Sequence, residues 1–168
     1  MAQSGCDTIV WSATKKLQPS DFRDVADTGR RMIAFTMTKF AYKAFPQDES
    51  VIINTATLFY PCSSWLNRAN LPGSILHEQI HFDITEYYKR LFLKRIGETQ
   101  SSADVFATTT RAIFRDISEQ RKAMNIEYDQ QTANGSDPQE QVRWSRKITD
   151  LLASLEKYSI NTITINLK

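Results

Sequence analysis

The sequence predicts an α+β fold in which a small, mainly antiparallel sheet packs against about three helices. Two observations carry this prediction. In the first third of the chain, β-branched and aromatic residues alternate with polar ones, which is typical of strands. Further along, long segments carry apolar residues at helical spacing and are separated by turn residues. A chain of 168 residues can bury the core of one domain, so we expect a single domain over residues 1–168.

Three segments of the first third have strand character. Residues 8–11 and 51–60 are rich in β-branched and aromatic side chains, and the second segment alternates well enough to form one long strand. The apolar positions of residues 32–44 are closer to period two than to period 3.6, which favours a strand there as well. Pro, Asp and Ser residues within 18–24 and 45–50 indicate connecting loops.

Capping signals place the first two helices. Ser74 suits the N-cap of a long helix that continues to about Ile96 and ends at Gly97. Ser101, with Asp104 three residues further on, resembles the capping box of a second helix. The apolar residues of this second helix keep helical spacing, which indicates a face buried in the core.

The third helix follows a polar segment, residues 130–136, which contains an Asn-Gly turn signal. Asp137 supplies an N-cap and Pro138 the first helical position. Apolar residues, Trp144 among them, then repeat at helical spacing and predict another buried face. Residues 163–167 alternate between apolar and polar side chains, so we expect a closing strand at the end of the chain.

Charge and hydropathy limit the classes of protein to which the chain can belong. The 21 basic residues nearly balance the 19 acidic ones, which argues against a nucleic-acid binder. No apolar run approaches the roughly 18–20 residues of a membrane span, and residues 1–7 do not resemble a signal peptide. We therefore expect either a cytoplasmic protein or the mature form of a secreted one. Cys6 and Cys62 permit one disulfide in an oxidising compartment, although the sequence alone does not show that the two sulfurs lie close together.

The two histidines of the chain, His77 and His81, lie four residues apart on the first predicted helix, and Glu78 directly follows the first. Four residues are a little over one helical turn, so both imidazoles project from one face and can bind a single Zn²⁺. Glu78 lies about 100° around the helix from His77, where it can reach a water at the metal without being a ligand. This H-E-x-x-H pattern predicts Zn²⁺ as the cofactor and Glu78 as a general base.

The third ligand of this site is left open. A catalytic zinc usually takes three protein ligands, and the chain has no third histidine. On the same helix, Glu86 lies about 180° from the first histidine and Asp83 about 160° from the second, so helical geometry excludes both. The second helix offers alternatives in Asp116 and Asp129, whereas the capping position of Asp104 explains that residue without a metal.

Tyr88 is a further candidate on the helix that carries the motif. It follows His81 by seven residues and therefore lies on the same face of the helix. Two interpretations stay open. Tyr88 either lines the pocket and contacts substrate, or packs in the core against Ile84.

Segments on both sides of the motif resemble one family. Residues 77–91 (HEQIHFDITEYYKRL) are similar to the motif segment of a bacterial family of predicted secreted zinc-dependent proteases, the domain-of-unknown-function family 922. Residues 59–65 resemble the F-x-P-x-x-S-W stretch of that family, and residues 128–144 resemble its Y-D-x-x-T-x-H-G…Q-x-x-W block. A strand followed by an L-x-x-x-D-F element in residues 11–22 is also similar. The likeness covers about residues 8–155.

The resemblance implies a zincin-like α+β fold, secretion to the periplasm or outside the cell, and hydrolysis of peptide bonds. It also implies that His77 and His81 bind zinc and that Glu78 is catalytic. Asn134 stands where the family pattern has a histidine. If that histidine is a zinc ligand, the site here binds zinc weakly or not at all; if it binds substrate, Asn134 can replace it as a hydrogen-bonding group. The third ligand is thus left between Asp129 and Asn134.

The expected function is that of a secreted or periplasmic zinc metallopeptidase with a peptide or protein substrate. The alternative is a zincin-like binding module that has lost its metal and binds peptide or cell-envelope components. A third interpretation is an intracellular structural protein, which reduced cysteines would favour. In each case we expect no nucleic-acid partner and no membrane span, and the sequence carries no signal for the oligomeric state.

Overall fold

We describe the fold from a computed structural model, which defines residues 6–26, 34–67, 71–99 and 102–167. These residues form six strands and three α-helices. The strands are β1 (Ile9–Val10), β2 (Ala34–Phe35), β3 (Thr38–Gln47), β4 (Ser50–Phe59), β5 (Trp65–Leu66) and β6 (Thr162–Asn166). The helices are α1 (Leu71–Glu98), α2 (Ala103–Gln131) and α3 (Pro138–Ser154). The predicted α+β class is confirmed.

Strand β4 is the centre of the main sheet. It pairs with β3 along its whole length, from Thr38 opposite Phe59 to Gln47 opposite Ser50. Two strands from the ends of the chain share its other edge: β1 pairs near Phe59 and β6 pairs with the first half of β4. β2 and β5 form a separate two-stranded sheet. All these pairings are antiparallel, which fits the mainly antiparallel arrangement predicted from the sequence.

The single strand predicted over residues 32–44 is wrong. Residues 32 and 33 lie outside the described part, and the rest is divided between β2 and β3, because the chain passes from one sheet to the other at Thr36 and Met37. The loop predicted over residues 45–50 is also wrong, since β3 and β4 continue to a tight turn in which Asp48 has φ 49°. Pro46 is tolerated in β3 because that strand lies at an edge of the sheet.

Helix α1 begins three residues before the predicted N-cap. Leu71 is its first residue, so Ser74 lies inside the helix and is buried. Pro72 is compatible with this start because the first turn of a helix has no intrahelical partner for its N–H groups. At the other end, α1 includes Gly97 and ends at Glu98, one residue beyond the predicted stop.

The starts of the other two helices are closer to the prediction. Ser101 lies outside the described residues, and the N-cap of α2 is Ser102. The N-cap of α3 is Asp137, as predicted, and Pro138 follows it. The Oδ1 atom of Asp137 accepts hydrogen bonds from two backbone N–H groups of the first turn, at 2.9 and 3.1 Å. This cap fixes where the loop after α2 ends.

The main core lies between the main sheet and the three helices. Helix α1 is central, since it contacts α2, α3 and strands β3 and β4. Strand β4 and the three helices contribute fully buried side chains to this core: Ile53 from β4, Phe92 from α1, Ile117 from α2, and Trp144 and Ile148 from α3. The predicted buried faces of α2 and α3 are therefore confirmed, and α1 is held in a fixed orientation between its neighbours.

A disulfide joins Cys6 to Cys62, whose Cα atoms are 5.6 Å apart. It attaches the segment before β1 to the single 3₁₀ turn Pro61–Ser63 that follows β4. The structure thus forms the bridge that the sequence only permitted. Within the described ranges, no helix combines the length and the apolar character that crossing a membrane would require.

Candidate metal centre

Helices α1 and α2 bring His77, His81 and Asp129 into one cluster that can hold a metal ion. The Nε2 atoms of the two histidines are 3.2 Å apart. The Oδ1 atom of Asp129 lies 3.1 Å from Nε2 of His77 and 3.0 Å from Nε2 of His81. The ligand atoms of a tetrahedral zinc site lie about 3.3 Å from one another, because each is about 2.0–2.1 Å from the ion. The three observed distances fit such a site.

The antiparallel packing of α1 against α2 explains why Asp129 reaches the histidines. Few residues join the two helices, so the start of α1 lies beside the end of α2. Towards the other end of α1, Arg95 contacts Asp116, which lies in the middle of α2. Several acidic residues of α2 were considered from the sequence. Asp129 is the one that this packing places beside the two histidines.

The second ring nitrogen of each histidine contacts a side-chain amide oxygen. Nδ1 of His77 lies 3.3 Å from Oε1 of Gln141, and Nδ1 of His81 lies 2.6 Å from Oδ1 of Asn125. An amide oxygen can only accept a hydrogen bond, so each Nδ1 carries a proton and donates it. When a metal displaces the proton of Nε2, the lone pair of this atom faces the cluster. Metal-binding histidines are commonly oriented in this way.

The two amides are themselves oriented by hydrogen bonds that end on the backbone. Nδ2 of Asn125 donates to the carbonyl of Arg121 at 2.8 Å. Nε2 of Gln141 donates to the hydroxyl of Tyr128, which donates in turn to the carbonyl of His77 at 3.3 Å. Because a carbonyl oxygen only accepts, the donor and acceptor role of every group in both chains is fixed. The proton on each Nδ1 is therefore held in place before any metal binds.

Tyr128 packs against both histidine rings. It stacks on His77 with ring centroids 4.5 Å apart and an interplanar angle of 19°, and it makes an edge contact with His81. Burial raises the pKa of the Tyr128 hydroxyl far above its usual value, so this group stays neutral and can donate. Trp144 of α3 packs behind Tyr128, with ring centroids 5.1 Å apart. The three helices together hold the histidine rings in place.

Electrostatic interactions within the cluster favour an ionised Asp129. Burial by itself raises the pKa of this carboxyl, but hydrogen bonds from His77 and His81 outweigh that effect and leave the pKa well below its usual range. Burial by itself lowers the pKa of His81, whereas its hydrogen bond to Asp129 and the charge of Glu78 raise it, and the net pKa is raised. A metal ligand must be ionised in this way if it is a carboxylate.

Glu78 lies in the same cavity as the cluster, and its residue is 4% exposed. Within the part of the chain that the structure describes, its carboxylate makes no hydrogen bond and no ion pair. Its oxygens are not among the buried atoms that lack a hydrogen-bond partner, so the carboxylate reaches the cavity, where a ligand can contact it. Polar groups that converge on one cavity in this way are typical of a functional site.

The cavity around the cluster has a volume of about 350 Å³, which is within the range of small-molecule and peptide-binding clefts. Residues 34–38, which run from β2 to the start of β3, form one wall of the cavity. The motif helix α1 and the second half of α2 form two further walls. Asn134, from the loop after α2, also lines it. This position is compatible with the predicted substrate contact of Asn134, which stays a prediction.

Comparison of the chain with protein-family models, with curated proteins and with solved structures finds no match. The resemblance to the domain-of-unknown-function family 922 therefore stays a prediction. The zincin-like fold implied by that resemblance stays one as well. Functional conclusions rest on the geometry of the cluster and its cavity.

The structure places Tyr88 in the core and not in this cavity. Its residue is 5% exposed, and it belongs to the hydrophobic cluster that also contains Ile84. Burial raises the pKa of its hydroxyl to about 12. Although Tyr88 follows the histidines on one face of α1, the cavity extends along this helix only as far as His81. Of the two interpretations of Tyr88, the structure supports packing.

The other acidic residues considered from the sequence lie away from the cluster and have partners of their own. Helical geometry excluded two of them on α1, and the structure agrees with that exclusion. Their contacts are Asp83 with Trp11 at 2.7 Å, Glu86 with Arg90 at 2.9 Å, Asp104 with Ser102, and Asp116 with Arg95.

The loop after α2 approaches His77 closely, and Gly135 makes this approach possible. A Cβ atom at Gly135 would lie 3.0 Å from Cγ and 3.1 Å from Cβ of His77. The residue also has φ 83°, a left-handed conformation that costs an L side chain about 1–2 kcal/mol. We expect Gly135→Ala to lower the free energy of unfolding by at least that amount and to weaken metal binding by displacing His77.

Urea denaturation and a zinc titration of the purified variants would measure the two effects of Gly135→Ala. Gly97→Ala is the matched control, because nothing lies within 4 Å of a Cβ built there and the position is helical. The control should keep wild-type metal affinity and equal or higher stability. Wild-type metal affinity in Gly135→Ala would show that this loop does not position His77.

Proposed function

We propose that the protein is a zinc-dependent metallopeptidase that hydrolyses a bond of a peptide or protein substrate. One observation carries the proposal. Two histidine nitrogens and one carboxylate oxygen lie at ligand spacing, and the carboxylate of Glu78 lines the same cavity without a hydrogen bond to a described residue. A cluster that served only to stabilise the fold would explain the hydrogen bonds of the histidines. It would not explain why a second carboxylate is held beside them in the cavity with no hydrogen bond of its own.

His77, His81 and Asp129 would hold the zinc ion, since two imidazoles and one carboxylate form a ligand set that leaves a position open for catalysis. When bound, the ion would polarise the substrate carbonyl and make water a better nucleophile. Glu78 would take the proton of the attacking water at its carboxylate and pass it to the leaving amine. Asn125 and Gln141 would keep the Nε2 lone pairs of the histidines directed at the ion.

We also propose that the protein acts in an oxidising compartment, in the periplasm or outside the cell. The disulfide between Cys6 and Cys62 supports this location, because such bonds persist where thiols are not kept reduced. Both cysteines of the sequence take part in the bridge.

Metal removal tests the proposed chemistry. A library of internally quenched fluorescent peptides should be cleaved by the purified protein, and dialysis against 1,10-phenanthroline should abolish the cleavage. About one equivalent of Zn²⁺ per chain should restore it, because the cluster offers a single set of ligands. Absence of cleavage of any peptide with zinc present would contradict the proposed hydrolysis. Cleavage that survives the chelator would contradict a metal-dependent mechanism.

A further inference from the structure

The cavity that holds the metal cluster contains a second polar region, which the proposed chemistry does not use. It consists of three hydrogen-bond donors, Thr36, Arg121 and Lys122. Thr36 belongs to the short segment between β2 and β3, and the two basic residues belong to α2. We call this group the donor region.

Two atoms of the donor region are buried without a hydrogen-bond partner. Among the described residues, the buried side-chain nitrogen and oxygen atoms that lack a partner are Oγ1 of Thr36 and Nε of Arg121. Both residues line the same cavity. Buried donors are nearly always satisfied in folded proteins, because leaving one unpaired is costly. Because both residues line one cavity, small rotations of their side chains would bring these donors to the acceptors of a ligand bound there.

The charge of Arg121 is also without a counterion. No carboxylate of the described residues pairs with its guanidinium, whose Nη1 donates to the carbonyl of Thr38 at 3.4 Å. Burial lowers the pKa of Arg121 from its ordinary value, as expected for a partly desolvated cation. The neighbouring Lys122 lines the cavity and adds a second positive charge. The missing acceptors therefore belong to an anion.

The position of Arg121 on α2 separates this region from the metal ligands. Arg121, Asn125 and Asp129 are spaced by four residues and so lie on one face of the helix. Eight residues correspond to about 12 Å along the helix axis. An extended peptide advances about 3.3–3.6 Å per residue, so a group bound at Arg121 would lie roughly three to four residues from one bound at the cluster.

We propose that the donor region binds a carboxylate of the peptide substrate, several residues away from the bond that is hydrolysed. This inference rests on the proposed function. A guanidinium matches the geometry of a carboxylate through two parallel N–H···O hydrogen bonds, and the Thr36 hydroxyl supplies a further donor. The carboxylate belongs either to the C-terminus of the peptide or to an acidic side chain.

Binding of matched fluorescent peptides tests the proposal independently of catalysis. Two decapeptides share one uncharged sequence, and one of them has a free C-terminus whereas the other has a C-terminal amide. A third decapeptide has the C-terminal amide and one internal residue replaced by glutamate. Fluorescence anisotropy with the metal-free protein should show roughly 10- to 100-fold tighter binding of a carboxylate peptide than of the neutral amide. If the peptide with the free C-terminus binds more tightly, the carboxylate is that of the C-terminus. If the peptide with the internal glutamate does, the carboxylate is that of an acidic side chain.

The advantage should disappear in Arg121→Gln and persist in Arg115→Gln, a matched change at an exposed arginine of the same helix. Thr36→Val removes the unpaired hydroxyl with little change in shape and should weaken carboxylate binding about 5- to 10-fold. This variant keeps the test decisive if Arg121→Gln does not fold. Equal binding of all three peptides by the wild type, or an unchanged preference in both variants, would overturn the inference.

Cleavage of the same peptides by the zinc-loaded protein separates this inference from the proposed function. Hydrolysis of all three at equal efficiency would overturn carboxylate recognition and leave the metallopeptidase intact. Carboxylate-dependent binding that Arg121→Gln abolishes, without hydrolysis of any peptide, would support the donor region and contradict the proposed chemistry.

Discussion

Glu78→Gln is expected to abolish peptide hydrolysis and to leave zinc binding intact. Glutamine has the shape of glutamate, but its amide cannot accept the proton of an attacking water. General acid–base catalysis contributes about 10²- to 10⁴-fold to a rate, so kcat/KM should fall by that factor. The zinc content should stay near one per chain, because Glu78 does not belong to the cluster of ligand atoms. Both quantities can be measured on the same preparation.

Stability provides an independent measurement of the role of Glu78. Its carboxylate lines the cavity and makes no hydrogen bond with a described residue, so glutamine, which has the same shape, should leave the free energy of unfolding nearly unchanged. Glu119→Gln, at an exposed position of α2, is the control and should change neither activity nor stability. A Glu78→Gln protein that keeps activity within a few-fold of wild type would contradict the assignment. One that loses its zinc would show that Glu78 is a ligand.

Asp129→Ala is expected to lower the affinity for zinc by more than 100-fold. Loss of an outer hydrogen-bond partner of a ligand typically costs 10- to 100-fold, and loss of a ligand should cost more. The substitution also removes the acceptor that both histidine Nε2 atoms contact at 3.0–3.1 Å. Competition with a chromophoric chelator would measure the affinity of the wild type and of each variant.

Two further variants make the Asp129 result decisive. Asp116→Ala, on the same helix but paired with Arg95, should keep wild-type affinity. Asn134→Ala separates the two candidates for the third ligand that the sequence left open. We expect it to retain zinc, because Asp129 already lies at ligand distance from both histidines. Zinc loss in Asn134→Ala, with none in Asp129→Ala, would assign the ligand to Asn134.

The fold class and the order of the helices could be predicted from the sequence because their signals are local. The spacing at which hydrophobic residues repeat distinguishes strands from helices. The pair Asp137-Pro138 marks the start of α3 correctly. The start of α1 was not predictable from Ser74, because a good N-cap residue is also compatible with an interior position. The division of residues 34–47 into two strands depends on which sheet each segment joins, a contact between distant residues.

The two histidines and Glu78 followed from helical spacing alone, but the third ligand required tertiary structure. The helical pattern left both Asp116 and Asp129 open, and the family resemblance left Asp129 and Asn134. The short connection between the helices does carry a signal, because an antiparallel pair brings the start of α1 to the end of α2. This arrangement favours Asp129 over Asp116.

Asn125 and Arg121 are the functional candidates that sequence reasoning did not single out. A spacing of four residues places them on the same face of α2 as Asp129, and this polar face was the available signal. Gln141 entered only through the family resemblance, and Gly135 through that resemblance and the Asn-Gly turn signal. Their contacts with His77 connect α3 and the loop before it to the motif helix, and no local pattern in the sequence specifies such contacts.

The zinc content of the protein, purified without chelators and measured by elemental analysis, tests the central claim most directly. The proposed site predicts one zinc per chain. After the metal is removed, adding Zn²⁺ to about 100 times its Kd should stabilise the fold by about 2.7 kcal/mol. For a domain of this size, that gain corresponds to a rise in Tm of roughly 5–10 °C. A protein that contains no zinc, and whose Tm does not change when zinc is added, would contradict the claim.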